Sequence, residues 1–141
     1  MCMTTIDDCL LINLPRHRSD RCGNLTVADN LPFSIKRVYY LYDVPGGENR
    51  GEHAHRTLNQ LIVAASGSFT VMLDDGNNRR EVFLNRPYVG LLIPAGIWHH
   101  LHDFSSGAVA LALTSDLYDE ADYLRNYGDF KNFRSEHYGA D

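Results

Sequence analysis

Arg50 to Gln60 read RGEHAHRTLNQ, a stretch in which two histidines stand one residue apart. In an extended strand alternate side chains share a face, so His53 and His55 are predicted to point together into one cavity. An imidazole, with an intrinsic pKa of about 6.5, can donate a proton, accept one or ligate a metal. The residues around the two histidines indicate which of these three uses applies.

The length and composition of the chain indicate one globular domain. A chain of 141 residues can bury one sizeable core and is too short for two ordinary domains. It is 44% hydrophobic and 22% charged, and no apolar run reaches the roughly 18 residues that a membrane helix requires. The acidic N-terminus argues against a secretory signal. We expect one domain over residues 1–141, with a core at about 20–130 and a tail at about 129–141, in the cytoplasm and without a membrane partner.

The cysteines and the charge narrow the function classes. Cys2, Cys9 and Cys22 are an odd number without metal-type spacing, so free thiols are expected. The net charge is −5 and the basic residues are scattered, which makes nucleic acid an unexpected partner. Individual basic side chains could still hold a phosphorylated small molecule.

Short apolar or alternating segments, separated by Gly, Pro, Asn and Asp, run through most of the chain, as is typical of an antiparallel β domain. Asp74 to Asn78 form the clearest hairpin loop, because Asp-Gly and Asn tolerate the positive φ of a tight turn. The predicted strands are Cys9–Leu14, Asn24–Ala28, Ser34–Tyr42, Gly51–His55, Gln60–Ser66, Ser68–Asp74, Arg80–Leu84, Val89–Ile93, His99–Asp103 and Ala108–Thr114. This pattern predicts an all-β jelly-roll sandwich or small barrel, with the site in the cavity between the sheets.

One short C-terminal helix is predicted over Ser115–Tyr127. Ser115 or Asp116 can cap it, acidic residues crowd its first turn, Arg125 lies in its last turn and Gly128 follows. Three tyrosines are expected to pack this helix against the barrel: Tyr118, Tyr123 and Tyr127.

Two motifs resemble those of the cupin superfamily. The first runs Gly47, five residues, His53-Ala54-His55, four residues, Gln60, six residues and Gly67, with Gln60 where cupins have Glu. The second is Pro94 to His99 followed by Asp103, with Tyr88 where Gly is usual and Asp103 where Asn is usual. Two motifs in this order predict a cupin jelly-roll barrel, although a fold alone does not fix the chemistry.

In metal cupins the ligands would fall on His53, His55, Gln60 and His99. Gln60 removes the one anionic ligand, which weakens the attraction for a divalent ion, although three histidines can still hold zinc or iron. A metal site therefore stays open as an alternative. The favoured interpretation is a metal-free acid/base pair, with no cofactor.

Further segments are similar to the sugar 3,4-ketoisomerases that act on dTDP-4-keto-6-deoxyglucose. They are Pro32–Tyr40, Arg50–His55, Leu73–Gly76, Trp98–His99, His102–Ser106 and Ser115–Arg125. The resemblance implies metal-free isomerisation on the way to dTDP-linked 3-amino-3,6-dideoxyhexoses, with His53 and His55 as the catalytic pair. It also implies a homodimer, often with exchanged N-terminal strands. Where relatives commonly have Asp-x-Arg-Gly, this chain has Asp20-Arg21-Cys22-Gly23, so the C4 configuration of the product is not predicted.

Moving a carbonyl from C4 to C3 of an α-hydroxy ketone requires removing the C3 proton, passing through an enediol and returning a proton at C4. Two adjacent imidazoles resist being charged together, so one protonated and one neutral ring are expected at rest. We assign proton transfer at carbon to His55 and contact with the sugar oxygens to His53. Gln60 is expected to orient one of the histidines through a hydrogen bond.

The dTDP-sugar requires cationic and aromatic groups. Arg37 and Tyr39 share a strand face, and a guanidinium can bind diphosphate through two parallel hydrogen bonds. Strand alternation equally allows the opposite face of that strand to point inward. The expected substrate-binding residues are Arg21, by its position in the family, with Arg37, Tyr39, Arg50, Gln60, Trp98 and His99. The alternative functions are a metal-dependent cupin oxidoreductase, a dTDP-sugar epimerase and a non-catalytic sugar-nucleotide-binding protein.

Overall fold

Two five-stranded antiparallel sheets face each other in this protein, which a computed structural model describes over residues 4–137. The strands are β1 (Leu11–Asn13), β2 (Arg16–His17), β3 (Leu25–Thr26), β4 (Arg37–Leu41), β5 (Arg50–His55), β6 (Gln60–Ser66), β7 (Phe69–Asp74), β8 (Arg79–Leu84), β9 (Val89–Ile93), β10 (Trp98–His102), β11 (Val109–Thr114) and β12 (Tyr123–Leu124). The α-helix is α1 (Tyr127–His137), and 3-10 turns occupy Ile6–Asp8 and Glu120–Asp122.

The order of strands is β1-β9-β6-β11-β4 in the first sheet and β12-β5-β10-β7-β8 in the second, while β2 and β3 form a separate ribbon. Alternate residues of each strand fill the space between the sheets. On β7, for example, Phe69, Val71 and Leu73 are fully buried in the main core. The all-β sandwich predicted from alternation and turn signals is confirmed.

The loop predicted between β7 and β8 is a hairpin held by its own aspartates. Gly76 has a φ of +91°, and its backbone N–H donates to Oδ1 of Asp74 at 2.7 Å. Oδ1 of Asp75 accepts from the backbone N–H groups of Asn77 and Asn78. Side-chain oxygens thus satisfy the backbone donors of the turn, as Asp does in tight reversals.

The single C-terminal helix is present, but its predicted position over Ser115–Tyr127 was wrong. That stretch instead contains the 3-10 turn and β12, and α1 begins only at Tyr127. Phe130 and Phe133 of α1 bury themselves beside Trp98, whereas Leu117 is 67% exposed. The helix therefore forms where apolar residues can cover the outer face of the second sheet.

The tail predicted at about 129–141 is thus largely helical, and residues 138–141 lie outside the described part of the chain. Arg134 of α1 donates to the backbone oxygens of Gly96 and Thr4, so the helix fastens the N-terminal segment to the barrel. No helix formed by residues 4–137 is long and apolar enough to cross a membrane.

Candidate active site

The two histidines of β5 lie side by side between the sheets, as their spacing predicted. Their Nε2 atoms are 3.1 Å apart and their rings meet edge to face, with centroids 4.7 Å apart. Both are buried, whereas Ala54 between them points to the opposite face and packs near Trp98 and Leu124. The period of two residues along a strand accounts for this arrangement.

A β-bulge in β5 brings Arg50 to the same face as the histidines. Across the β5–β10 pair, His53 faces His99 and Arg50 faces Leu101, so the two residues Gly51 and Glu52 on β5 oppose the single residue His100 on β10. Gly51 absorbs the extra residue with a φ of +71°, a conformation that glycine adopts readily. Without this bulge strict alternation would turn Arg50 away from the cavity.

Strand β4 supplies the opposite wall. Arg37, Tyr39 and Leu41 face inward, while Val38, Tyr40 and the following Tyr42 are 55%, 60% and 62% exposed. The choice that alternation left open is therefore settled in favour of the face that carries Arg37 and Tyr39. The guanidinium of Arg37 lies over the ring of Tyr39, with Cζ 4.8 Å from the ring centroid.

Tyr39, Gln60 and His99 form a chain of hydrogen bonds at the base of the site. The Tyr39 hydroxyl donates to Oε1 of Gln60 at 3.4 Å, and the Gln60 amide Nε2 lies 3.0 Å from Nε2 of His99. Nδ1 of His99 is 3.2 Å from the backbone oxygen of Ile97, which can only accept. His99 thus carries its proton on Nδ1 and accepts from the Gln60 amide through Nε2. Gln60 therefore orients His99, a neighbour of the pair.

Asp122 holds the second histidine of the pair. Its Oδ2 lies 3.2 Å from Nδ1 of His55 and also accepts from the backbone N–H of Leu58. Its Oδ1 accepts from the backbone N–H and the hydroxyl of Thr57, each at 2.8 Å. A carboxylate with four donors fixes both the position and the tautomer of the imidazole.

Asp122, Tyr123 and Arg125 are further site residues that the sequence pattern did not indicate, because the pattern predicted a helix there. In the structure Tyr123 pairs with His55 across β12 and β5, and its ring centroid is 4.5 Å from that of His55 and 4.8 Å from that of His53. Buried Leu124 alternates with Tyr123 and Arg125, which line the cleft. This alternation was a strand signal that the acidic residues before it obscured.

Burial governs the protonation of the cluster. Desolvation, with smaller contributions from His99 and His55, holds the pKa of His53 far below its usual range. Desolvation also lowers the pKa of His99 to about 3 and lowers that of His55, although Asp122 opposes the shift at His55. The three imidazoles are thus neutral at neutral pH. The lowered pKa values disfavour the expected resting state with one protonated ring, because the sequence did not show that both rings are buried.

An open cleft of about 420 Å³ leads from the surface to His53. Its walls are formed by Arg37, Tyr39, Leu41, Asn49, Arg50, Gly51, Glu52, His53, Tyr123 and Arg125. Beyond it, an internal cavity of about 20 Å³ also touches His53 and His99 but is far too small for a hexose. His53 lines both the cleft and the internal cavity. His55 lines neither of them and lies behind His53.

The cleft is rich in cations. Nη1 of Arg37 is buried without a hydrogen-bond partner in the described part of the chain. Arg125 lies over the Tyr123 ring at 4.2 Å and pairs with Glu120, with Nε 2.6 Å from its carboxylate. A buried guanidinium nitrogen without a partner costs free energy, so this position favours an anionic ligand.

Four of the predicted binding residues do not line the cleft: Gln60 and His99 are buried at the base of the site, and Trp98 and Arg21 lie elsewhere. Trp98 does not wall the cavity: it precedes inward-facing His99 on β10, so it faces the other side of the sheet and packs against Tyr127 and Phe130. That expectation is corrected. Arg21 lies on the exposed turn of the β2–β3 ribbon and is not part of the cleft wall formed by its own chain.

The arrangement does not fit a metal centre. Residues 4–137 contain no cluster of three or more His, Cys, Asp or Glu side chains placed to hold an ion. Both ring nitrogens of His99 are engaged by Gln60 and Ile97, which leaves only the His53 and His55 nitrogens facing each other. Zinc and iron sites in proteins require more converging ligands than this.

Comparisons with known proteins identify the family of this chain. The family described as FdtA, WxcM-like, C-terminal matches residues 7–135. The TDP-4-oxo-6-deoxy-alpha-D-glucose-3,4-oxoisomerase of Aneurinibacillus thermoaerophilus is 53% identical over 117 residues, which cover 81% of this chain and 84% of that protein.

Two solved structures have the same fold. The TDP-quinovose 3,4-ketoisomerase WlaRB of Campylobacter jejuni is 43% identical, with a TM-score of 0.83 over 89% of this chain and 98% of that one. The sugar 3,4-ketoisomerase QdtA of Thermoanaerobacterium thermosaccharolyticum, in complex with TDP, is 34% identical, with a TM-score of 0.90 over 95% of this chain and 99% of that one.

Proposed function

We propose that this chain, which belongs to the family described as FdtA (WxcM-like, C-terminal), moves the keto group of dTDP-4-keto-6-deoxy-D-glucose from C4 to C3. The observation that carries the proposal is the neutral histidine pair at the end of a cationic cleft. Isomerisation of an α-hydroxy ketone needs a base near carbon and a hydrogen-bond donor near the carbonyl oxygen, and neutral imidazole supplies either.

His53 is the residue of the pair that reaches the sugar in this proposal. It lines the cleft, and its Nδ1 makes no hydrogen bond to any described residue, since the bond to His55 uses Nε2. His53 therefore removes the C3 proton, and after exchange with solvent through the open cleft it delivers a proton at C4, while the O3 proton moves to O4. This division reverses the one expected from the sequence, in which His55 acted at carbon.

The cations of the cleft would bind the diphosphate. Arg37 and Arg50 lie on opposite walls, and Nη1 of Arg37 has no hydrogen-bond partner among residues 4–137. A diphosphate oxygen would satisfy that donor through a charge-assisted hydrogen bond. Tyr39 and Tyr123 present aromatic surface to the same cleft, where a sugar or a thymine ring can pack.

We also propose that two copies of the chain associate through the outer face of β4. Val38, Tyr40 and Tyr42 form an exposed apolar stripe on β4, which is an edge strand of the first sheet. Such a stripe on an edge strand is typical of an interface, so we expect a homodimer. Arg21, on its exposed ribbon, would then contribute to substrate binding in the partner's cleft.

The test is incubation of the purified protein with dTDP-4-keto-6-deoxyglucose in deuterated buffer. We expect a 3-keto product that carries deuterium at C4. Deuterium at C3 or C5 without migration of the keto group would indicate an epimerase, and an unchanged sugar that binds would indicate a binding protein. Turnover that is lost with a chelator and restored by a stoichiometric metal would favour the metal-dependent alternative.

His53→Asn tests the assigned base in the same assay. Proton transfer by a positioned side chain contributes about 10²- to 10⁴-fold, so kcat should fall by that factor while the affinity for TDP stays nearly unchanged. His55→Asn should also lower kcat. His17→Asn, on the exposed ribbon, is the control. A His53→Asn protein with normal kcat would remove His53 from the catalytic role.

A further inference from the structure

We propose that Asp122 is a positioning residue that makes His55 the internal acceptor of a proton relay running from His53. This inference rests on the proposed isomerisation, because the relay serves the proton taken from C3. The three side chains are connected in sequence: Asp122 Oδ2 is 3.2 Å from His55 Nδ1, and His55 Nε2 is 3.1 Å from His53 Nε2.

The hydrogen-bond donors around Asp122 dictate where the protons are. Both of its oxygens face N–H or O–H donors from Thr57 and Leu58, so the carboxylate only accepts. The proton between Asp122 and His55 therefore belongs to Nδ1 of His55, and a neutral His55 keeps a lone pair on Nε2. His53 must then donate its Nε2–H to His55, which leaves Nδ1 of His53 as an unprotonated base.

The catalytic step follows from this arrangement. When the C3–H bond breaks, its proton goes to Nδ1 of His53 and its electron pair enters the enediolate. The Nε2 proton of His53 then passes to Nε2 of His55, so the positive charge moves to the imidazole that contacts a carboxylate. Reversing both transfers delivers a proton to C4. No electron is gained or lost by the protein.

The surrounding charges favour this direction. His53 faces the cleft with its arginines, and Arg125 opposes its protonation. His55 experiences Arg125 and Arg37 as well, but Asp122 favours its protonated form by charge and by hydrogen bonding. Among residues 4–137, the rings of His99 and Tyr123 also face His55, and burial lowers the pKa of His99 so that it adds no charge. The carboxylate thus makes His55 the better site for the extra proton.

Asp122→Asn is the critical variant. Asparagine would keep its oxygen toward the two Thr57 donors and turn its NH₂ toward His55, which forces the His55 proton from Nδ1 to Nε2. Two N–H groups would then face each other across the histidine pair. We expect kcat to fall about 100-fold or more, with KM changed by less than about threefold, because the loss concerns proton transfer and not binding.

Asp119→Asn is the matched control. Asp119 caps the same 3-10 turn through the backbone N–H of Ala121, and Asn caps equally well. It removes the same charge without touching the histidines, so its kcat should stay near that of the wild type. Thermal melting of both variants reports whether Asp122→Asn is folded.

Nitrogen-15 NMR of the histidine rings provides a second readout that does not require turnover. The wild-type protein should show the Nδ1–H form for His55 and the Nε2–H form for His53, and Asp122→Asn should convert His55 to the Nε2–H form. Wild-type His55 in the Nε2–H form, or Asp122→Asn with normal kcat, would overturn the relay. A wild-type protein that leaves the keto sugar unchanged would defeat the proposed function instead, and the NMR spectra would still decide the proton arrangement.

Discussion

His53 and His55 carry the same side chain, but their surroundings give them different capacities. His53 lines the cleft and has no carboxylate partner among the described residues, whereas His55 lies behind His53 and contacts Asp122. The sequence predicted that the two histidines share a face, because side chains two residues apart on any strand point to the same side. It could not predict the partner of His55, because Asp122 is 67 residues away along the chain and arrives through the pairing of β12.

The neutral histidines should make the stability of the fold depend on pH. Burial lowers the pKa of His53, His55 and His99, so the unfolded chain takes up protons below about pH 6.5 that the folded chain does not. More protons bound in the unfolded state mean that the free energy of unfolding falls as the pH drops. We expect Tm to decrease between about pH 6.5 and about pH 5, where carboxylates stay ionised, as measured by scanning calorimetry.

His99→Gln should flatten that decrease, because one of the three neutral imidazoles is gone. His17→Gln, which alters an exposed histidine on β2, should keep the wild-type slope. If His99→Gln loses Tm with falling pH as steeply as the wild type, burial of His99 is not a source of the dependence.

Arg37 offers a test of the anion site. Its Nη1 has no partner in residues 4–137, so removing the guanidinium should cost little stability but should weaken TDP binding. Charge-assisted hydrogen bonds contribute about 1.5–3 kcal/mol, so Arg37→Met should raise the Kd for TDP about 10- to 100-fold. Isothermal titration calorimetry measures this change, with Arg86→Met on the exposed β8–β9 connection as the control. An unchanged Kd would place the diphosphate elsewhere.

At the scale of elements, the bulge at Gly51 is what makes β5 a functional strand. Alanine at a φ of +71° is strained by about 1–2 kcal/mol, and relief of that strain would turn Arg50 from the cleft. Gly51→Ala should therefore lower Tm and raise KM. Gly46→Ala, in the neighbouring loop where an added Cβ meets no atom within 4 Å, should change neither value appreciably. A Gly51→Ala enzyme with normal KM would show that the bulge does not position Arg50 for binding.

Most strands were predictable because the alternation of apolar and polar residues, and the turn residues between strands, are patterns within a few consecutive residues. The hairpin at Asp74–Asn78 and the inward face of β7 are examples. The position of the helix was not predictable in the same way. Ser115–Tyr127 has good capping residues, but the open edge of β5 pairs with Tyr123 and Leu124, and the outer sheet face takes Phe130 and Phe133. Tertiary partners thus overruled local helix signals.

At the scale of the whole molecule, the cleft exists because two sheets meet. Arg37 and Tyr39 come from an edge strand of the first sheet, and the histidines and Tyr123 come from the second. The cupin barrel and the 3,4-ketoisomerase family predicted from two motifs and the flanking segments are confirmed. The motifs identified β5 and β10, but the wall formed by β12 became visible only when the strands were assembled.

The same edge strand that contributes Arg37 and Tyr39 to the cleft presents Val38, Tyr40 and Tyr42 outward. If this stripe forms the proposed homodimer interface, a charge at its centre should separate the subunits, because burying an unpaired guanidinium costs more than the contact gains. We expect the wild-type protein to sediment at twice the mass of one chain and Tyr40→Arg to sediment as a monomer. Phe83→Arg provides the control, since Phe83 is equally exposed, at 60%, but lies on β8 of the other sheet.

Activity of the separated subunits then distinguishes a structural interface from a shared site. If Arg21 completes the partner's cleft, monomeric Tyr40→Arg should show a raised KM for the keto sugar even when its Tm stays near the wild-type value. Arg21→Gln in the intact dimer should raise KM in the same direction. A monomeric Tyr40→Arg enzyme with wild-type kinetics would show that each cleft is complete within one chain, and a wild-type protein that sediments as a monomer would remove the interface from β4.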